Sequence, residues 1–467
     1  MDNIENMDFE AIHEKQSDEL MELLDSRHMK ELQTRLEDMN EFDVAEFLSE
    51  IGDNRMPMVF RLLSKETAAD VFANFDAPEQ EQIINSITDS ELSAIIEELY
   101  VDDAVDMMEE LPANVVKRVM RTATPETRRL INQYLNYPEN SAGSIMTAEF
   151  IDLKKYMNVR EAIARIRRIG EDKETIYICF VTSADRKLEG VVSVKDLLLN
   201  DDETVIEDIM DTNVIFCMTH DDQEEVSEKI SDYDLMAIPV VDKEGRLVGI
   251  VTVDDIIDVL EQETTEDFEI MAAMTPSDKP YSRTGAIDMW KNRVPWLLFL
   301  MLSATFTTMI LNSFEDALAV QAVLIGFIPI IMGTGGNSGS QACVSIIRGI
   351  SLNEIEFRDL GRVVWKEIRV SVLCGVCLAV ACFAKIVVVD MLLLKSESVT
   401  YLVAFVVCAT MAVTVCLAKI VGSTLPLLAK KLGFDPAVMA SPIITTIVDF
   451  LSLLVYFAFA TAILGIG

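Results

Sequence analysis

A single carboxylate stands inside the last apolar run of the chain. In DPAVMASPIITTIVDFLSLLVYFAFATAILGIG, from Asp435 to Gly467, Asp449 has about a dozen apolar or small residues on either side, so a bilayer-spanning helix would hold it near mid-depth. A charge at that depth costs a few kcal/mol or more and normally faces a water-filled path or a bound ion. Thr445 and Thr446, four and three residues earlier, fall on the same helical face and extend it as a polar stripe. The chemistry implied is cation binding in a pore. The competing assignment is an uncharged, hydrogen-bonded carboxyl within a helix bundle. Proteolysis by paired intramembrane aspartates is excluded, since Asp449 is the one deep carboxylate.

Two other stretches carry oxygen ligands. GTGGNSGSQ, from Gly333 to Gln341, puts four glycines and Asn337 into an apolar helix. Such a run lets another backbone approach closely, or offers carbonyl and amide oxygens to a hard cation and its waters. VDDIIDVLEQETTEDFEIMAA, from Val253 to Ala273, reads as one helix whose acids Asp255, Asp258, Glu263, Glu266 and Asp267 lie on adjoining turns without a lysine or arginine. Two like charges about 4 Å apart cost on the order of 4 kcal/mol at an effective dielectric near 20. A cation would offset that if the helix docks; a fully solvated helix would not need one. Asp102, Asp103 and Asp106 crowd one turn in the same way, although acids at a helix N-terminus also suit its dipole.

The elements that must position these groups divide sharply by composition. The chain has 467 residues, 50% of them hydrophobic, and a net charge of -38. Residues 1 to 283 hold 66 acids against 27 Lys and Arg, and the remainder holds 11 against 12. The first part is therefore an acidic soluble half and the second a membrane half. A field so negative repels phosphate, which excludes nucleic acid and makes multivalent cations the natural counter-charge. The opening residues are polar and acidic, so no cleaved signal is expected and the soluble half should be cytoplasmic. Cys374 and Cys377 form a CxxC within an apolar segment, and with only three His in the chain a zinc or haem site is not expected.

Residues 1–137 read as short helices, with apolar residues three and four apart and helix-start residues at Ser64, Pro78, Asp89 and Pro125. An internal repeat follows. RKLEGVVSVKDLLLN matches GRLVGIVTVDDIIDV, with Gly190 and Gly249 separated by 59 residues, and an upstream pair aligns Met146 with Met210, 64 apart. Each unit should contain a short strand, an amphipathic helix, a strand pair and a closing helix. This resembles a tandem CBS module, a regulatory pair that often binds adenine nucleotides, so ATP is the cofactor it implies. Five apolar segments, about 294–314, 317–343, 368–389, 400–428 and 436–466, are each long enough to cross a membrane. Lys291 and Arg293, a basic cluster from Arg348 to Arg369, and Lys430 with Lys431 alternate with loops carrying Glu315, Asp316, Asp390, Lys395 and Glu397. The positive-inside rule then places the N-terminus in the cytoplasm and the C-terminus outside. Lys385 and Lys419 lie toward span ends, where they can snorkel. The expected fold is multidomain: an all-α helical N-domain (1–137), two α/β CBS domains (138–200 and 201–259), an acidic connecting helix and linker (254–283), and an α-helical domain of five transmembrane helices (284–467).

Taken together, the acidic helical N-domain, the CBS pair, the acidic connecting helix, NRVPWLL at the first span, GTGGNSGSQ in the second and FDPAVMASPIITTIVDFLSLL in the last resemble the MgtE family of magnesium channels over nearly the whole chain. The resemblance implies a plasma-membrane homodimer rather than an enzyme, with Asp449 of each subunit holding a largely hydrated Mg²⁺. It implies a pore bordered by Gly333, Gly336, Asn337 and Thr445, and by Ser340 and Ser441 where family members often carry an amide. By the same similarity Asp102, Asp106, Asp222, Glu224, Asp234, Asp255, Asp258, Glu263, Glu266 and Asp267 would share regulatory Mg²⁺ ions that hold a closed state when cytosolic Mg²⁺ is high. Two alternatives stand beside it: transport of another divalent ion such as Co²⁺ or Mn²⁺, and a membrane-anchored nucleotide sensor that transports nothing.

Overall fold

The computed structural model describes residues 9–465 except 53, 172, 278–280, 282–283, 316–321 and 397. The chain forms two compact units, Met1–Leu260 and Glu261–Gly467. Among the described residues, short helices open the first unit: α1 (Phe9–Asp25), α2 (Met29–Glu37), α3 (Glu41–Glu50), α4 (Met56–Phe60), α5 (Lys65–Ala73), α6 (Ala77–Ser86), α7 (Asp89–Glu98), α8 (Val101–Glu110), α9 (Ala113–Thr122) and α10 (Pro125–Tyr134). Several start on a side-chain cap. Ser64 accepts from the Thr67 N–H, and Thr88 accepts from the Glu91 N–H while the Glu91 carboxylate takes the Thr88 N–H at 2.7 Å. Pro125 occupies the first turn of α10, where no donor is needed. Leu32, Leu36, Leu48, Val59, Ile83, Leu92 and Val119 are fully buried between these helices.

The repeat folds as two three-stranded sheets. The first holds β1 (Asp152–Leu153), β2 (Ile178–Thr182) and β3 (Leu188–Ser193), around helices α11 (Val159–Ile169) and α12 (Val194–Leu199). A short α13 (Ile206–Ile209) leads to the second, with β4 (Cys217–Met218), α14 (Gln223–Asp232), β5 (Ala237–Val241) and β6 (Leu247–Thr252). In both, the first pair is parallel and the second antiparallel. The two units interlock. Thr147 bridges to Ile250 of the second sheet, and Asp211 bridges to Val191 of the first. The repeat spacing now has a physical cause: a Cβ on Gly249 would meet Met146 Sδ at 2.7 Å, and one on Gly190 would meet Met210 Sδ at 2.9 Å. Each methionine thus packs on the glycine of the other repeat. From β6 the chain runs directly into α15 (Val253–Met271).

Among the described residues the second unit has five helices long and apolar enough to cross a membrane, as hydropathy indicates: Ala286–Ser313, Ala322–Ser351, Phe357–Leu393, Tyr401–Leu432 and Pro436–Leu464. Their helices are α16 (Ala286–Ser303), α17 (Thr305–Ser313), α18 (Ile328–Ser351), α19 (Leu360–Lys385), α20 (Tyr401–Leu432) and α21 (Ser441–Leu464). α19 continues as a π-helical stretch, Ile386–Leu393, in which Asp390 pairs with Lys385 at 2.9 Å. The first and third helices begin several residues earlier than the apolar runs, because hydropathy marks the greasy part of a helix and not its charged, still helical end. The expected loop charges Asp316 and Glu397 lie outside the described residues. Lys419 departs from expectation. It does not snorkel to solvent: it is 5% exposed, and its Nζ lies 3.7 Å from Glu367 of α19.

The glycine run of α18 is the packing centre of this unit. A Cβ on Gly335 would meet Thr414 of α20 at 2.6 Å, one on Gly336 would meet Thr445 of α21 at 2.7 Å, and one on Gly339 would meet Ile444 at 2.8 Å. On α20, a Cβ on Gly422 would run into the Gly339 carbonyl. That neighbour is backbone and cannot swing away. Gly422→Ala should therefore destabilise the detergent-solubilised chain by about 1–3 kcal/mol. Gly333→Ala, where a Cβ meets nothing within 4 Å, should leave the thermal midpoint equal or higher, since alanine favours a helix by up to about 1 kcal/mol. Equal melting of Gly422→Ala and wild type would contradict the close approach.

Candidate functional site

The geometry of the membrane unit follows from these glycine contacts. Gly335 faces Val448 and Ser452, whereas Gly339 faces Ile444 and Val448, so α18 and α21 run antiparallel. Gly336 packs against Thr445, and Asp449, one turn farther along α21, comes level with the turn from Gly333 to Gly336. Gly333 and Asn337 lie four apart on an exposed face of α18, and Asp449 and Ser340 are half-buried. The Thr445 and Thr446 hydroxyls donate to the Pro442 carbonyl at 3.0 and 2.9 Å. The Ser441 side chain lies outside the described residues. The arrangement presents a carboxylate, an amide and hydroxyl oxygens at successive levels of one surface. It suits a hard cation that keeps most of its water. Among the described residues no three His, Cys, Asp or Glu side chains converge as ligands.

In the first unit, α8 brings Asp102, Asp103 and Asp106 toward Asp255 near the start of α15. Asp102 is raised well above the ordinary carboxylate value by loss of water, then by Asp103, Asp255 and Glu174. Its Oδ1 is buried and has no hydrogen-bond partner. Loss of water and the charges of Asp255, Asp70 and Glu149 push Asp103 to about 6. Asp106 reaches about 7 as protein displaces water around it and Asp103 and Glu109 repel it, although its side chain still meets the surface. Asp255 is also raised by burial, against the lowering effect of the Thr252 hydroxyl, which donates to its Oδ2 at 2.5 Å. The same carboxylate accepts the Thr252 backbone N–H at 3.3 Å at the start of α15, so Asp255 has a structural role as well.

Sequence reading missed Glu174. It sits in the loop after α11, with its N–H donating to the Glu149 carbonyl at 2.9 Å, and burial with Asp255, Asp254 and Asp103 pushes it to about 7. No periodicity or spacing in EDKETI signals this; the tertiary fold supplies it. Asp222, Glu224 and Asp234 are exposed around α14, where Asp222 accepts the Glu224 N–H at 2.9 Å as the helix cap. In the second unit the end of α15 supplies Glu263, Glu266 and Asp267. Burial, then Asp435, Glu263 and Glu266, raise Asp267 to about 6. Asp258 is exposed on α15. Asp435, just before α21, carries no sequence signal of its closeness to Asp267.

Known proteins match this architecture segment by segment. A family model described as a divalent cation transporter matches residues 328–459, the MgtE intracellular N domain matches 39–140, and CBS domains match 142–202 and 206–262. The "Magnesium transporter MgtE" of Thermus thermophilus is 35% identical over 97% of this chain and 99% of its own length. The protein of the same name from Bacillus subtilis is 30% identical over 94% of this chain and 95% of its own. Among solved structures, the soluble part of a magnesium transporter is 32% identical with a TM-score of 0.52, covering 54% of this chain and 99% of that one. The cytosolic domain of the Mg²⁺ channel MgtE in complex with ATP is 35% identical with a TM-score of 0.50, covering 52% and 99%.

The raised carboxylates make a sign-definite prediction. A group whose folded-state pKa lies above its unfolded value stabilises the fold below the unfolded pKa and loses that contribution as pH rises through the folded one. With Asp103 near 6 and Asp106 and Glu174 near 7, the divalent-free first unit should lose stability from about pH 4 to pH 7. Hydrogen-exchange protection at α8 in the whole chain, relative to the intrinsic rate at each pH, should fall across that window, and Mg²⁺ at neutral pH should restore it. Protection that ignores both pH and Mg²⁺ would contradict the reading.

Proposed function

Because the chain belongs to the MgtE family of magnesium transporters, we propose that it conducts Mg²⁺ along a membrane path bordered by Asp449, Thr445, Ser441, Gly333, Gly336, Asn337 and Ser340. The observation that carries this reading is the Asp449 carboxylate on α21, level with the exposed Gly333–Asn337 face of α18. One copy leaves that face open, which supports a homodimer with the path between two membrane units. Mg²⁺ holds its water tightly and is bound through a few carboxylates; Asp449 from two copies would supply charge while the remaining oxygens orient the waters.

The acidic clusters are the proposed sensor. Asp102, Asp106 and Asp255 in the first unit, Asp222, Glu224 and Asp234 around α14, and Asp258, Glu263, Glu266 and Asp267 along α15 would bind Mg²⁺ from the cytoplasm. Glu174 and Asp103 join the first group on the strength of their mutual repulsion. Bound Mg²⁺ would cancel the repulsion and favour a closed state; its loss would free α15 and open the path. The ion shifts this balance only by its differential affinity for the two states. The buried, unpartnered Asp102 Oδ1 suits a cation ligand. The CBS pair is proposed to take ATP, a reading supported by the solved relative described as the cytosolic domain of a Mg²⁺ channel in complex with ATP. The basic loops favour a plasma-membrane orientation with the N-terminus in the cytoplasm and the C-terminus outside.

Mg²⁺ uptake into liposomes carrying the purified chain tests the path. Asp449→Ala should lower flux about a hundredfold, equivalent to about 3 kcal/mol of lost ion stabilisation, while the protein elutes as wild type. Undiminished flux in that variant would remove Asp449 from the path.

A further inference from the structure

Among the described residues Lys419 is the one charged residue withdrawn almost completely from solvent. It lies on α20, toward the end of the helix that carries Lys430 and Lys431. Its neighbour in sequence, Ala418, presents its carbonyl to Gly339 of the glycine run, 3.3 Å from where a Cβ there would sit. One turn on, Gly422 meets the Gly339 backbone. A fixed positive charge therefore sits about one helix width, on the order of 10 Å, from the helix face that borders the proposed path. A buried ionisable group at membrane depth calls for a functional account with its partner named. The partner is Glu367 of α19, 3.7 Å away, with both side chains largely withdrawn from solvent. Ser371 and Ser423, one turn beyond each, are fully buried too, but their hydroxyls donate to their own helices, to the Ile368 and Ile420 carbonyls. They do not neutralise the lysine.

We infer that Glu367 is a positioning residue for cation conduction, whose carboxylate cancels Lys419 so that the adjoining end of the path does not repel the ion. This rests on the conduction reading above. A buried uncompensated cation acts on a divalent ion with twice the energy it exerts on a monovalent one. Loss of Glu367 must therefore reduce Mg²⁺ flux more than K⁺ flux, and loss of Lys419 must do the reverse. A pair that merely latched α19 to α20 would give the same defect from either side.

The test is Mg²⁺ and K⁺ flux through the whole chain in liposomes, for wild type, Glu367→Gln, Glu367→Asp, Lys419→Met and the double variant Glu367→Gln/Lys419→Met. Glu367→Gln should lower Mg²⁺ flux about tenfold and K⁺ flux about threefold, the square-root relation that a single charge imposes. Glu367→Asp and the double variant should restore the wild-type ratio, and Lys419→Met should raise the Mg²⁺ to K⁺ ratio. Equal losses in both single variants, or a Glu367→Gln chain that conducts as wild type, would overturn the inference while leaving the path intact. A wild-type chain that passes no Mg²⁺ would overturn both readings. If Glu367→Gln yields no folded protein, Lys419→Met decides alone: an unchanged or lowered ratio sinks the proposal.

Discussion

Close approach of backbones around one glycine run is the constraint on which the membrane unit depends. Gly335, Gly336 and Gly339 receive side chains of α20 and α21 where any Cβ would collide, and Gly422 returns the contact. Replacing these glycines would push α21 outward and carry Asp449 away from the Gly333 turn. The carboxylate is thus held in place by the absence of side chains rather than by a dedicated hydrogen bond. Gly333 and Asn337 of the same run are exposed on α18, so the segment that sets the packing also borders the proposed path.

The soluble unit poses the opposite problem. There the fold gathers carboxylates that repel one another, with Asp102, Asp103, Asp106, Glu174 and Asp255 raising each other across α8, the loop after α11 and the start of α15. Hydrophobic burial of residues such as Leu92, Ala104 and Val105 holds them together. This stored repulsion is what the proposed sensor would use, because a bound divalent ion would remove a cost already present. α15 begins beside this cluster and ends with Asp267 beside Asp435, so one continuous helix carries acids into each unit.

Much of this was legible in the sequence. The five spans followed from hydropathy, and the paired repeats followed from matching segments 59 and 64 residues apart. Reciprocal packing of Met146 on Gly249 and Met210 on Gly190 was not, because a repeat reveals similar units but not that each completes the other's sheet. Asp102, Asp106 and Asp255 stand out in the sequence as crowded acids, whereas Glu174 and Asp435 do not, since loop residues carry no period and meet their neighbours only after folding. Lys419 misled for a related reason. Distance from a span's end says how far a lysine must reach to water, but only the packing of α19 shows a carboxylate nearer than the solvent.

The proposed coupling between repulsion among the crowded acids and closure of the path is tested most directly by recording Mg²⁺ current while Mg²⁺ is stepped on the side of the soluble unit. Wild-type current should fall as that concentration rises. In the chain carrying Asp102→Asn and Asp255→Asn, unitary current should be unchanged while half-closure requires about tenfold more Mg²⁺ or more, a coupling of about 1.4 kcal/mol. Half-closure at the wild-type concentration would contradict the account.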